Sequence, residues 1–423
     1  MGSAAELLDP DRFAAGPPSE LFDELREGGP AESGHGPTGT RLVSTCSASD
    51  IEAVSKDPAL WSSWEGGIFP HRDQVNALEL NRNLLLFMDP PQHTKYRKIL
   101  QTAFVPNSVA KLEPMVREIV TAVLDAAEVD ASPDGVEGGG LEGDFATDVA
   151  VPIPLRVLAR LMGLPATDLP QLEDWVARIE DSQRSPEPEA GTPVMIEMSG
   201  YLAEQIAAQR KRGDDGSESL VMKLVEAEVD GESLTETEIL LFFGLLVFAG
   251  NDTTRNTMSS GMLALLEHPD QLELLRAEPK RIPAAVEEIL RWTSVVNYFC
   301  RTATENTELS GCPIHEGEKV MLWYPAGSRD PAVNDDPQRF DVTREDAKHM
   351  AFGGGGRHFC LGAGLARLEL RIAFEEILRR WGEIRLAGEP QRVRSNWASA
   401  ITSLPIQFTS TPHQVHPEER TPA

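Results

Sequence analysis

Apolar residues recur mostly three or four positions apart along this chain, which is the pattern of amphipathic helices. Residues 109–128 show the pattern over several turns, and the polar residues Asn107 and Ser108, directly after Pro106, are predicted to cap that helix. Residues 145–165 predict another helix of the same kind. The chain is therefore expected to be mainly helical.

A long apolar helix is predicted in the middle of the chain. Thr235 is a favourable capping residue, and Glu236 and Glu238 follow it at the place where carboxylates interact well with the helix dipole. Apolar residues then continue through Gly250 to Leu266. The pattern predicts one helix over this whole stretch.

Strand patterns are fewer and shorter. Residues 319–327, 383–388 and 403–411 are the candidate strands, and the polar residues 181–193 are predicted to connect two helices. Residues 411–423 are predicted to form a disordered tail. The fold class expected from these patterns is mainly α with small β pieces.

Acidic side chains outnumber basic ones, 67 to 39, and the formal net charge is −28. Because phosphates attract basic surfaces, this balance argues against wholesale binding to nucleic acids or anionic membranes. A local basic docking patch remains compatible with it. The chain has 423 residues, 41% of them hydrophobic, which is enough to bury a large core.

The four cysteines lie far apart and form no C-x-x-C pair, so a secreted disulfide framework is not expected. Residues 1–30 lack the basic and then apolar segments of a signal peptide. The longest apolar window, residues 239–250, is too short to cross a bilayer. These features predict a cytoplasmic protein with reduced thiols.

One cysteine has an unusual context, AFGGGGRHFCLGAG at residues 351–364. Four consecutive glycines let the backbone approach a flat object closely. A strongly helical stretch follows Cys360, so backbone amides at a loop-to-helix junction are expected to favour its thiolate. The arrangement predicts a single-cysteine metal ligand, as in haem. The alternative, a buried free cysteine, is expected for Cys46, Cys300 and Cys312.

The sequence AGNDTT, residues 249–254, interrupts the long apolar helix with weak helix formers. Such an insertion predicts a local opening of the helical hydrogen-bond ladder, as at a π-bulge or a water site. The alternative is that Asp252 caps a second helix.

The cysteine loop resembles the haem-binding loop of cytochromes P450. That family has a glycine four positions before the cysteine, a basic residue two before it and a glycine two after it, and Gly356, His358 and Gly362 fit these places. The family's aromatic residue lies seven positions before the cysteine. Here Gly353 occupies that place and Phe352 comes one residue earlier.

The resemblance covers residues 42–408 and implies the cytochrome P450 fold, a triangular prism of α-helices with small β-sheets, as a single domain over residues 1–410. It implies haem b as the cofactor, between the central helix and the helix after the cysteine loop, with Cys360 as the axial thiolate ligand. Phe352, Gly353 and Gly362 are expected beside the haem.

The same resemblance extends to residues 249–254, which match the family's oxygen-activation motif. The match implies that Asp252 is the proton-relay acid and that the Thr253 hydroxyl works with it. Ala249 is expected to leave room for oxygen and substrate.

A further family motif is E-x-x-R, here Glu288 and Arg291, which lie on one helical face and can pair. The resemblance implies a structural ionic cluster behind the haem, with Arg339 as the third partner. His93, Arg97, Arg301 and His358 are implied to bind the two haem propionates, although His93 alone could be an ordinary surface histidine.

The family's substrate pocket is built from four stretches of the chain, which here offer mostly apolar side chains suited to a hydrophobic ligand. The candidate pocket residues are Trp64, Phe69, Leu85, Leu245, Phe248, Val295, Val296 and Phe299. The segments MDPPQHT, VNYFCRTAT and the cysteine loop look most like actinobacterial members that oxidise steroids, branched lipids or terpenoids.

The implied function is a monooxygenase that inserts one oxygen atom from O2 into a C–H bond of such a molecule. The same resemblance implies a monomer that receives NAD(P)H electrons through a separate ferredoxin and its reductase. Epoxidation, a peroxide-dependent peroxygenase and a non-catalytic haem-thiolate sensor are the alternatives. A basic docking patch is expected near the cysteine, unless its members are simply solvated surface charges: Lys348, His349, Arg357, Arg367 and Arg371.

Overall fold

The computed structural model describes residues 2–36, 39–70, 78–79, 81–131, 140–184, 191–212 and 219–410. The predicted tail, residues 411–423, lies outside the described residues. Within the described part, no helix is both long and apolar enough to cross a membrane.

Helices form most of the described structure. The first half of the chain contains α1 (Ser19–Gly28), α2 (Ala48–Lys56), α3 (Gln92–Gln101), α4 (Pro106–Ala110), α5 (Glu113–Asp130), α6 (Pro152–Met162), α7 (Leu169–Arg184) and α8 (Thr192–Arg212). The second half contains α9 (Leu220–Val225), α10 (Glu236–Glu267), α11 (Pro269–Ala277), α12 (Ile282–Thr293), α13 (Tyr324–Ser328) and α14 (Ala363–Arg380). Short 3₁₀ turns lie at Ala4–Leu8, Pro10–Phe13, Leu85–Phe87, Ala166–Asp168 and Pro279–Arg281, and a π-helical turn at Ala146–Ala150.

The strands form small sheets beside the helices. The largest sheet has the order β1-β2-β10-β7-β3, in which only the β2–β10 pair is parallel. Its strands are β1 (Ala31–His35), β2 (Arg41–Thr45), β3 (Trp61–Ser62), β7 (Tyr298–Ala303) and β10 (Lys319–Trp323). An antiparallel sheet of order β11-β14-β4 joins β4 (Leu141–Asp144), β11 (Trp381–Leu386) and β14 (Pro405–Ser410). Two-stranded pairs are β5 (Glu228–Val229) with β6 (Glu232–Ser233), β8 (Thr307–Leu309) with β9 (Cys312–Ile314), and β12 (Gln391–Arg392) with β13 (Ile401–Ser403).

The predicted long helix is confirmed as α10. Thr235 caps it by accepting a hydrogen bond from the Glu238 amide, and the Glu238 carboxylate accepts one from the Thr235 amide in return. The later part of α10 packs against α12 and α14, and this buried side includes Met258 and Met262. The central position of α10 makes it one wall of the cavity described below.

Three predicted boundaries are wrong. Asn107 and Ser108 were expected to cap a helix but lie inside α4, which begins at Pro106 because proline is favourable at a first helical position. The segment 319–327 is a strand only to Trp323, after which α13 begins. The connector 181–193 is shorter than predicted, since α7 continues to Arg184 and α8 begins at Thr192.

Candidate active site

A deep cavity lies between α10 and the loop that precedes α14. Helix α10 contributes Leu245, Ala249 and Thr253, and the opposite side contributes Cys360 and the first turns of α14. Apolar side chains dominate the lining, which also includes Leu85, Leu86, Phe242, Leu246, Val295, Val296, Phe299 and Leu365. This is the composition of a pocket for a large apolar group with a few polar anchors.

Cys360 lies at the predicted loop-to-helix junction and lines this cavity. Cys360 is exposed on the cavity side, whereas Cys46 and Cys300 are buried as expected. Cys312 was also expected to be buried, but it is partly exposed. The Cys360 backbone amide donates to the Phe352 carbonyl oxygen at 3.1 Å, which fixes the start of the junction.

Burial raises the pKa of the Cys360 thiol, and this outweighs the lowering caused by the amides of Gly362 and Ala363 and by the Arg97 and Arg367 charges. The backbone amides predicted to favour the thiolate are therefore present, but their effect on the pKa of Cys360 is smaller than the effect of burial. Binding to a metal removes the proton, because a coordinating thiol is deprotonated. The described residues contain no group of three or more histidine, cysteine, aspartate or glutamate side chains that could hold a metal ion.

The glycine run allows the cysteine loop to pack closely against α2, a contact that the sequence did not identify. A Cβ atom on Gly356, whose φ is +71°, would lie 2.1 Å from the Ser55 carbonyl oxygen of α2. A Cβ atom on Gly354 would lie 2.7 Å from the Ile51 carbonyl oxygen of the same helix. These two glycines therefore pack the loop against α2, while Gly353 and Gly362 line the cavity as predicted.

Phe352 lines the cavity despite its shifted place in the sequence. The Arg367 guanidinium lies 4.6 Å from the centre of its ring, and the ring of Phe359 is in edge contact at 6.1 Å. The extra residue in the loop is accommodated without moving the aromatic ring away from the site.

Four cationic or imidazole side chains meet at one side of the cavity, as predicted. His93, Arg97, Arg301 and His358 all line it, and the rings of His93 and His358 are 4.3 Å apart. Arg97 donates to the Phe359 carbonyl oxygen at 2.7 Å, and Arg301 donates to the Cys300 carbonyl oxygen at 2.7 Å.

His93 is 1% exposed, and neither of its ring nitrogens has a hydrogen-bond partner within the described part of the chain. Burial and the charges of Arg97, Arg301 and Arg357 lower its pKa to about 4. A buried donor without a partner beside two guanidinium groups is unfavourable unless an anion completes the site. The two carboxylates of haem fit this set of donors.

The polar segment 249–254 of α10 was predicted either to open the helical hydrogen-bond ladder or to start a second helix, and it does neither. The helix is continuous from Glu236 to Glu267, so Asp252 does not cap a second helix, and no opening of the ladder is present. The Thr253 hydroxyl donates to the Ala249 carbonyl oxygen at 2.7 Å, inside the helix. Thr253 lines the cavity, as does Ala249.

The Asp252 carboxylate is turned to the other side of α10 and is outside the cavity lining. It pairs with Arg255, at 2.6 Å from the guanidinium, and accepts a hydrogen bond from the Asn256 amide at 3.3 Å. Burial raises the pKa of Asp252 to about 6, against the lowering effect of the Asn256 amide. The ion pair with Arg255 favours the ionised carboxylate, whereas burial favours its protonated form.

The predicted ionic cluster exists, with one member wrong. Glu288 and Arg291 pair at 2.6 Å with both side chains fully buried. The second cation on Glu288 is Arg344, at 3.2 Å, and not Arg339. The Arg339 side chain is 62% exposed, and only its backbone carbonyl oxygen accepts a hydrogen bond from Arg291, at 3.0 Å.

Five of the eight predicted pocket residues line the cavity: Leu85, Leu245, Val295, Val296 and Phe299. The other three are wrong as lining residues. Trp64 lies beneath the Arg82 guanidinium, Phe69 packs behind Phe299, and Phe248 stacks on Trp397 with ring centres 6.2 Å apart.

Several lining residues were missed. Thr257 lies one helical turn after Thr253, so the 3.6-residue period could have placed it on the same face. Glu369 on α14 also lines the cavity, is 3% exposed, and has one carboxylate oxygen without a partner in the part that the structure describes. Burial raises its pKa to about 8. Its apolar neighbours in the sequence gave no signal for a cavity-facing carboxyl group.

The predicted basic patch is largely neutralised. Arg367 and His349 both contact Glu287, at 2.7 and 3.2 Å, and Arg371 pairs with Glu113 and Glu375, at 2.7 and 2.9 Å. Lys348 pairs with Asp346 at 2.8 Å, and Arg357 is exposed. Four of the five predicted members are thus paired with carboxylates, which weakens the local positive charge, and the docking patch stays a prediction.

Comparisons with known proteins agree with this geometry. The family model described as Cytochrome P450 matches residues 194–409. A steroid C26-monooxygenase from Rhodococcus jostii is 35% identical over 95% of this chain and 84% of its own length. A methyl-branched lipid omega-hydroxylase from Mycobacterium bovis is 35% identical over 85% of this chain and 82% of its own length. The solved structure of a cytochrome P450 from Mycobacterium marinum in complex with pseudoionone has a TM-score of 0.84 at 32% identity, covering 96% of this chain and 97% of that one.

Proposed function

Because this chain belongs to the cytochrome P450 family and is a haem-thiolate monooxygenase, we propose that it hydroxylates an unactivated C–H bond of a steroid, terpenoid or methyl-branched lipid. The observation that carries the proposal is the shared cavity, in which Cys360 on one side faces Thr253 on the other, with apolar side chains between. Haem, when bound, supplies the redox chemistry that activates dioxygen.

The chain's own residues have separable roles in this proposal. Cys360 ligates the iron, and His93, Arg97, Arg301 and His358 bind the propionates. Thr253 presents a hydroxyl to the cavity and Asp252 supplies protons from the other side of α10, where its ion pair with Arg255 holds it until the side chain turns.

The substrate class is supported by the lining and by the relatives. The walls contain leucine, valine and phenylalanine side chains, and the polar lining residues include the propionate-side group, threonines of α10 and Glu369 of α14. A hydrophobic substrate therefore binds by shape and apolar contact. The steroid C26-monooxygenase and the methyl-branched lipid omega-hydroxylase are named for substrates of this class.

The electron source in this proposal is a ferredoxin reduced by a ferredoxin reductase with NAD(P)H. Because the predicted basic patch is largely paired with carboxylates, docking of the ferredoxin cannot rely on a strong positive field.

A cytoplasmic location is part of the proposal, and the four free cysteines are compatible with it.

The proposal is tested by ligand titration followed by turnover. Cholest-4-en-3-one, phytanic acid and pseudoionone are titrated into the purified holoenzyme, and the low-spin to high-spin shift of the haem spectrum is recorded. At least one of them is expected to give a saturable shift and a hydroxylated product with NADH, ferredoxin, reductase and O2. Binding without product under these conditions would favour a haem-thiolate sensor, and product only with hydrogen peroxide would favour a peroxygenase.

Replacing Thr253 by alanine is expected to keep haem and substrate binding but to lower the product formed per NADH consumed by about tenfold or more, because the variant loses the cavity hydroxyl of the relay. The ratio is measured by NADH oxidation and product quantification. Thr293→Ala is the matched control, since the Thr293 hydroxyl makes the same helical hydrogen bond to Ile289, at 2.9 Å, outside the cavity. An unchanged ratio in Thr253→Ala would remove Thr253 from the mechanism.

A further inference from the structure

A lysine lies fully buried in the largest sheet. Lys319 begins β10, the strand between β2 and β7, and its side chain is among the largest that solvent does not reach. Lysine is almost never fully buried, because removing an ammonium group from water is costly unless hydrogen bonds replace the hydration. A side chain in this position therefore calls for an explanation from its contacts.

Two hydrogen bonds of Lys319 lead to one irregular segment, residues 66–70, here called the wall segment. The ammonium group donates to the Gly66 carbonyl oxygen at 2.5 Å and also to the Phe69 carbonyl oxygen. Between these two, the Ile68 carbonyl oxygen accepts the Cys300 amide of β7 at 2.8 Å. Three carbonyl groups of the wall segment therefore accept hydrogen bonds from the adjacent strands β7 and β10.

The close fit continues at Gly66. A Cβ atom there would lie 2.5 Å from the Thr302 hydroxyl oxygen and 2.8 Å from Cε of Lys319. The backbone of the wall segment is therefore pressed against the lysine stem as well as bound by its charged end.

The wall segment supplies one side chain that lines the substrate cavity and one that packs against a lining residue. Ile68 lines the cavity directly. The ring of Phe69 is in edge contact with that of Phe299, at 6.5 Å between centres, and Phe299 also lines the cavity. Moving this segment would move one side of the pocket without touching the cysteine loop or α10.

We propose that Lys319 is a positioning residue that holds the wall segment in place and so sets the shape of the substrate pocket. This rests on the proposed function for the identity of the ligand. The ammonium suits the task because it forms two charge-assisted hydrogen bonds to carbonyl groups 3 residues apart, which an apolar side chain of the same length cannot do.

The test compares Lys319→Met with Thr302→Val in the holoenzyme. Thr302 lies opposite Lys319 in the register of β7 and β10, and both residues are buried. The Thr302 hydroxyl group makes no hydrogen bond within the described residues. Its replacement therefore disturbs the same place without removing a hydrogen bond to a carbonyl group of the wall segment. Hydrogen exchange of the peptide covering residues 64–70 is measured without ligand. Exchange is expected to become about tenfold faster in Lys319→Met and to stay unchanged in Thr302→Val.

Ligand binding gives the second readout. The dissociation constant of cholest-4-en-3-one or phytanic acid, whichever shifts the wild-type spectrum, is expected to rise about tenfold in Lys319→Met. Imidazole, which binds the iron and does not need the wall, is expected to keep its affinity. A fold-wide role for Lys319 would change both affinities, so the difference between the two ligands separates positioning from general support.

Unchanged exchange in Lys319→Met, or an equal increase in Thr302→Val, would overturn the proposal. If Lys319→Met is isolated without haem, Lys319→Gln is used, because its amide keeps one donor in the same place. Failure of both variants to hold haem would also overturn the proposal, since Lys319 would then support the whole sheet. Hydrogen exchange needs no substrate, so its outcome stands even if none of the tested ligands binds.

Discussion

Replacing Cys360 by serine is expected to abolish the red-shifted absorption of the reduced carbon monoxide complex and to lower NADH-driven product formation by more than about 100-fold. The thiolate is the only protein ligand to iron that this cavity offers among the chain's four cysteines, and a serine hydroxyl donates electron density much less well. The optical spectrum and the turnover rate are measured on the same preparation, with haem content determined separately.

Cys312→Ser is the matched control for this experiment. Cys312 is partly exposed on β9 and lies outside the cavity, so its loss is expected to leave spectrum and turnover unchanged. A Cys360→Ser protein with the wild-type spectrum and full activity would contradict the assignment of the axial ligand, and with it the proposed function.

Glu288→Ala is expected to destabilise the protein by about 3–5 kcal/mol, because it leaves the buried guanidinium of Arg291 without its carboxylate. The effect reaches the haem site through the backbone. Arg291 donates to the carbonyl oxygens of Pro337 and Arg339, and Arg344 donates to that of Asp335, so the cluster holds the segment that leads to the cysteine loop. The variant is expected to bind haem poorly, measured as the haem absorbance per protein after purification.

Two further variants decide which arginine is the third member of the cluster. Arg344→Ala is expected to lower the haem content and the denaturation midpoint, because its guanidinium is 14% exposed and bound to Glu288. Arg339→Ala is expected to change both by little, because its exposed side chain lies 3.7 Å from Asp341 at the surface. The opposite ranking of the two variants would contradict the cluster.

The sequence predicted the centre of the site better than its periphery. The family resemblance placed Cys360, Thr253, His93 and Arg301 at the site, and all four line the cavity, while their roles there stay predictions. Arg339 was predicted as the partner of Glu288, but Arg344 is the partner. In an irregular segment the direction of a side chain depends on backbone turns, which the spacing of residues in the sequence does not reveal. The segment around residue 336 contains one such turn, with a φ of +45° at Asp336.

Other errors arose where two distant parts of the chain meet. The glycine run is explained by its contact with Ser55 and Ile51 of α2, about 300 residues earlier, which no local pattern contains. Phe248 was expected in the pocket because it lies on α10, but its ring stacks on Trp397, from a loop late in the chain. Tertiary contacts of this kind decide which of several apolar residues faces a cavity.

Backbone hydrogen bonds join residues 295–299, which include cavity-lining side chains, to residues 396–399, and this pairing limits how the substrate selectivity of the enzyme can be changed. Val296 and Ala398 form a β-bridge, the Asn297 amide donates to the Trp397 carbonyl oxygen at 2.8 Å, and the Ser399 amide donates to that of Val295 at 2.7 Å. Two chain segments joined in this way shift only as a unit. Libraries that seek new substrates should therefore vary the side chains of Val295 and Val296 while keeping backbone length constant on both segments, because an insertion in one would break the register of both.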